Sequence, residues 1–168
     1  MEGILVKTGF RWAALVALFA CFTITVQAQK SGKQERIDST KARVEAKSYT
    51  FHATNASGKR GRTINIAGDQ NRIVVRPDII KCDLPFYGES YGGAGGYAPT
   101  SNGPLTFETK DFIYQSKPGK KGGWNISIKP KDVPDIQEII ISIGVEGYAS
   151  ATVTSQNRSV MNYTGEVY

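Results

Sequence analysis

Residues 124–155 read WNISIKPKDVPDIQEIIISIGVEGYASATVTS, and the spacing of their apolar side chains decides the fold class. Trp124, Ile126 and Ile128 alternate with Asn125, Ser127 and Lys129. That period of two places one apolar face on a strand. Pro130–Asp135 carries two prolines and two aspartates and reads as a loop. Ile139, Ile141 and Ile143 resume the alternation, with Ile140 on the opposite face. Gly144–Gly147 is a turn, and Tyr148–Thr154 is rich in small and β-branched residues, a further strand.

The same period extends in both directions. Tyr49, Phe51 and Ala53 alternate with Thr50, His52 and Thr54, and Ile64 and Ile66 follow Arg62. Gly68–Asn71 is a turn, Arg72–Arg76 a strand broken by Pro77-Asp78, and Ile79–Phe86 the next strand. Leu105–Glu108 and Phe112–Tyr114 read as two more, and Pro118–Gly123 as a hairpin turn. Ser155–Arg158 turns into a last strand through Tyr163. Nine or ten short strands with closely spaced turns predict a mainly β fold, an antiparallel meander forming a barrel or sandwich. Upstream of Ser48 the period changes. Ile37, Thr40 and Val44 make a narrow stripe at helical spacing in a charged segment, so 29–47 is expected to be a helical lead-in or linker and 48–168 a single β-rich domain.

Lys7 and Arg11 precede an uncharged run, Trp12–Val26, that closes on Val26-Gln27-Ala28. This is the three-part pattern of an export signal, 1–28, with cleavage after Ala28. The run is too short to span a bilayer, which takes about 20 apolar residues. Leu18-Phe19-Ala20-Cys21 loosely resembles a lipobox, so lipidation at Cys21 is the alternative anchor. The expected location is periplasmic or secreted, and the processed protein is not transmembrane. Its 19 Lys and Arg against 14 Asp and Glu leave +5. Compartment and dispersed charge argue against nucleic acid as the target. Cys82, the one cysteine of the processed chain, alternates with Ile80, Leu84 and Phe86 and is expected to be a buried, unpaired thiol.

Catalytic vocabulary is sparse. His52 is the single histidine, so a typical zinc site cannot be assembled, and no serine sits in a nucleophile elbow. Asp132, Asp135 and Glu138, or Glu89 and Glu108, offer carboxylates for a glycan or peptide hydrolase, the enzymatic alternative. Asp132 and Asp135 lack the ligand spacing of a calcium loop. No cofactor or metal site is expected. Gly88–Pro104 contains six glycines and two prolines and is too long for a simple turn. Its tyrosines Tyr91 and Tyr97, with Tyr87 just before them, are candidate stacking contacts for a ligand. Arg60 and Arg62 flank Gly61 and are candidate anion contacts. The reading that follows is a non-catalytic, monomeric envelope domain binding a ligand or protein partner through one face or mouth of the β-structure. A lipocalin-like carrier is its most specific version, and a structural or assembly component of the envelope the third alternative.

Several marks in order carry a resemblance: Tyr49-Thr50-Phe51, Arg60-Gly61-Arg62, Leu84-Pro85-Phe86-Tyr87-Gly88, Gly147-Tyr148-Ala149, Val153–Arg158 and Tyr163-Thr164-Gly165. Over about Ser48–Tyr168 the chain resembles an exported bacterial family, mostly from Bacteroidota, termed domain of unknown function 4251. The resemblance implies a Gram-negative source, a periplasmic or outer-membrane setting and a β-rich domain behind a charged helix. It brings no activity, so it assigns no residue a role.

Overall fold

A computed structural model describes residues 32–58, 61–91 and 103–168. Ile37–Tyr168 form one compact unit, separate from Met1–Arg36. Helix α1 spans 32–45. Ten strands follow: β1 (Tyr49–Ser57), β2 (Thr63–Asn65), β3 (Arg72–Val75), β4 (Ile80–Leu84), β5 (Leu105–Thr109), β6 (Phe112–Pro118), β7 (Trp124–Pro130), β8 (Ile136–Ile143), β9 (Tyr148–Ser155) and β10 (Met161–Val167). They make one nearly closed, barrel-like antiparallel sheet in the order β5-β4-β3-β1-β10-β9-β8-β7-β6, with β2 attached to β1.

The expected meander holds in two runs, β3 to β5 and β6 to β10. Its ring is joined where the sequence gives no local signal. β1 pairs with β10, from Phe51 opposite Val167 to Ser57 opposite Asn162. β5 and β6 are consecutive in the chain, yet they end the sheet. The seam of the barrel therefore lies mid-chain.

The alternation places one face inside. Phe51, Ile73, Ile80, Leu84, Ile126, Ile128, Ile139, Ile141 and Tyr163 have no accessible surface. A side chain bordering a water-sized void would show some exposure, so these side chains are packed without one between them. Packing at this density is what makes a one-methylene change in a core felt. In β8 the inward residues Ile136 and Ile139 are three apart, and in β1 so are Ala53 and Ala56. Register shifts between Ile136 and Glu138 and between Ala53 and Asn55 account for both. Each bulge inserts one residue and resets the parity of the strand.

α1 is helical as its stripe predicts. Its second half belongs to the compact unit, and Thr40 and Val44 are buried there. This part of the lead-in is a packed element rather than a spacer. The helix ends in a Schellman arrangement, the Ser48 N–H donating to the Arg43 carbonyl and the Lys47 N–H to Val44. Lys47 occupies the left-handed position, φ 50°, that glycine ordinarily fills.

Candidate functional site

At one end of the barrel the segment after β4 is strapped to the β9–β10 connection. Its first anchor is Phe86, buried in the core, and its second the phenol of Tyr163, which donates to the Pro85 carbonyl at 2.8 Å. The Glu89 N–H donates to Ser159 Oγ at 2.9 Å, and the Ser159 N–H donates to the Glu89 carbonyl at 2.8 Å. The Tyr91 N–H donates to the Asn157 carbonyl at 2.7 Å, beside a bridge between Ser90 and Arg158. A Cβ at Gly88 would overlap Ser159 Oγ and the Phe86 ring, so glycine lets the strap lie flat. Burial pushes the Tyr163 hydroxyl above its ordinary range and keeps it a neutral donor.

Arg158 organises this end. Its guanidinium lies 5.3 Å from the centroid of the Phe86 ring and pairs with Asp135, Nε to Oδ2 at 3.2 Å. Its Nη1 donates to the Gly103 carbonyl at 2.9 Å. One side chain thus ties the β7–β8 loop, the strap and the start of the β5 segment together. It is 13 % exposed, so these contacts are only partly screened by water. The cation over Phe86 contributes on the order of 1 kcal/mol.

The candidates named from sequence divide three ways. Tyr87 and Tyr91 project from the strap, 52 % and 49 % exposed, on backbone held by the bonds above. Arg62 is exposed just before β2, a different part of the sheet. Arg60 and Tyr97 lie outside the described residues, as does Gly93–Ala98. The sequence offers Asp135 only as a candidate carboxylate for hydrolysis and gives Arg158 no role, because an arginine in a polar turn reads as solvated. The only signal was Arg158's place at the end of the Val153–Arg158 mark.

The carboxylates proposed for hydrolysis have separate partners. Asp132 accepts from the Thr109 hydroxyl, which lowers its pKa. Glu138 accepts from Ser127 Oγ at 2.6 Å and lies 3.7 Å from Lys129. Glu108 pairs with Lys81 at 2.8 Å, which lowers its pKa. His52 faces outward, edge-on to the Tyr168 ring at 5.6 Å. No cluster of three His, Cys, Asp or Glu suited to a metal is found among the described residues. No helix among them is long and apolar enough to cross a membrane. A depression of about 310 Å³ lies on the outer face of β3–β5, among Arg72, Val74, Lys81, Asp83, Thr106 and Glu108. Much of its polarity is satisfied internally, Lys81 by Glu108 and Asp83 by the Thr106 hydroxyl at 3.0 Å.

Residues 31–167 match the domain of unknown function DUF4251. The chain belongs to the DUF4251 family. A crystal structure of a DUF4251 family protein from Bacteroides eggerthii DSM 20697 shares the fold, with a TM-score of 0.60 at 16 % identity. The alignment covers 82 % of this chain and 89 % of that one. No curated protein matches the chain. For this DUF4251 domain the packed interior corrects one expectation. A lipocalin-like carrier needs an apolar cavity of a few hundred Å³. Among the described residues, the side chains at the middle of the core have no accessible surface and leave no such cavity between them.

Proposed function

We propose that this DUF4251 protein is an exported, non-catalytic binding domain that contacts an envelope partner through the strapped end of its barrel. The observation that carries the reading is the pair Tyr87 and Tyr91. They are large, half-exposed aromatic side chains on a backbone fixed by cross-chain hydrogen bonds. Rigid exposed aromatics beside an arginine are the composition of binding hot spots, because they bury much area at little entropic cost. Export rests on the pattern of residues 1–28, with cleavage after Ala28. Intact mass of the mature protein tests that part. A fatty-acylated Cys21 would replace a free N-terminus at Gln29 and move the domain to a lipid anchor.

Binding is tested by titrating isotope-labelled protein with fractionated envelope glycans, peptides and proteins while following amide resonances. Shifts concentrated at 85–91 and 156–159, lost in a Tyr87→Ala/Tyr91→Ala variant that keeps its fold, support the reading. The absence of shifts at 85–91 and 156–159 with every fraction, or turnover of any of these substrates, would overturn it.

A further inference from the structure

We propose that the free edge of β6 is a docking strand for an extended acidic segment of a partner protein, added to the sheet by main-chain pairing. This surface is separate from the strapped end and does not depend on it. Three observations carry the inference. First, β6 ends the sheet: all seven of its residues pair with β7, and among the described residues no strand covers its other side. An uncovered edge presents a row of N–H and C=O groups to any extended chain. Secondly, both faces of the strand are accessible. Ile113 is 44 % exposed on the outer face, and Ser116 and Pro118 are exposed although they continue the inward row of Phe112 and Tyr114. Thirdly, the charge beside this edge is unbalanced. Lys117 on β6, and Lys120 and Lys121 in the 3-10 turn that follows, make no ion pair among the described residues, whereas Lys129 and Lys131 at the other end of the β6–β7 pair do.

The lysines also choose between occupants. Lysine on an edge strand disfavours pairing with another copy of the same strand, because like charges are brought together. The same cations favour a strand that carries carboxylates, and they speed its encounter. Pro118 lies at the end of the edge, so the alternate residues within Phe112–Ser116 whose backbone groups face away from β7 can still donate as well as accept.

The probe is a fluorescent synthetic peptide of about nine residues, alternating Val and Thr with three Asp at one end. Its comparators are the same peptide with Lys for Asp and an analogue N-methylated on alternate amides. Affinity is read by anisotropy, and location by hydrogen exchange of the full processed chain. The acidic peptide should slow exchange at β6 amides. Its affinity should fall about tenfold or more with N-methylation, in 0.5 M salt, and in Lys117→Glu/Lys120→Glu/Lys121→Glu. The N-methyl comparison leaves the protein untouched, so misfolding of the variant cannot imitate the result. Equal binding of the Lys or N-methyl peptides, no slowing at β6, protection confined to 85–91, or a dimer joined through β6 would each overturn the proposal.

Discussion

Lys47 holds a backbone conformation that costs a residue with a Cβ roughly 1 kcal/mol, and its ammonium lies 5.1 Å from the centroid of the Tyr114 ring. The two effects oppose, and substitution separates them. Lys47→Ala keeps the strained φ and loses the cation, whereas Lys47→Gly loses both. Thermal or urea denaturation should show the glycine variant more stable than the alanine variant by about 1 kcal/mol. Cys82 is a second residue-scale case. It is fully buried, and burial, with Asp83 adding, pushes its thiol above the ordinary range. A thiol reagent at pH 8 should leave native protein unlabelled and label it stoichiometrically in denaturant. Rapid labelling of the native state would refute the packed placement. This position was legible beforehand, because alternation alone put Cys82 among Ile80, Leu84 and Phe86. Arg158 was not legible as a hub, because what makes it one is three partners brought from distant parts of the chain.

Among elements, the two bulged strands show where periodicity stops being a guide. A period-two reading starts the apolar face of β8 at Ile139 and misses Ile136, which the bulge returns to the core. In β1 the bulge also dictates its neighbour. Gly165 in β10 lies opposite Ala53, where the bulge begins, and any Cβ there would collide with the His52 carbonyl. Gly165→Ala should therefore destabilise the protein by about 2 kcal/mol or more, measured as a lower urea midpoint, although the substitution adds one methyl group. Nothing local in the sequence requires this glycine, and only the paired strand explains it. The strap makes a complementary case at the barrel end. Arg158→Lys keeps the charge but cannot reach Asp135, Gly103 and the Phe86 face together. Its expected signature is faster hydrogen exchange at 85–91 with a smaller change in β7–β9. Uniform loss of protection would instead make Arg158 a general stabilising residue.

For the whole molecule, the buried acids of weak strength set a limit on the alkaline side. Burial raises the pKa of Tyr49, Tyr163 and Cys82 in the native state. The unfolded chain releases these protons at ordinary values, about 8.5 for the thiol and about 10 for the phenols. Above those values the unfolded chain binds fewer protons than the native one, so stability falls as pH rises. It is fully present below about pH 8. Urea midpoints should stay level from pH 7 to 8 and decline steadily from about pH 9 upward. Cys82→Ala and Tyr163→Phe should each flatten part of that slope. The barrel itself was legible from alternation and turn spacing. The join between its two runs was not, because pairing between β1 and β10 leaves no trace in either strand. That pairing has a consequence in time. Phe51 meets Val167, so β1 lacks one neighbour until β10, more than 100 residues further along, has been made. The hairpins from β6 to β10 need only short loops to close, whereas the ring requires the entropy of a loop spanning most of the domain. Closure between the first and last strands should be the late event in folding, and mutations at that ladder should speed unfolding more than they slow folding.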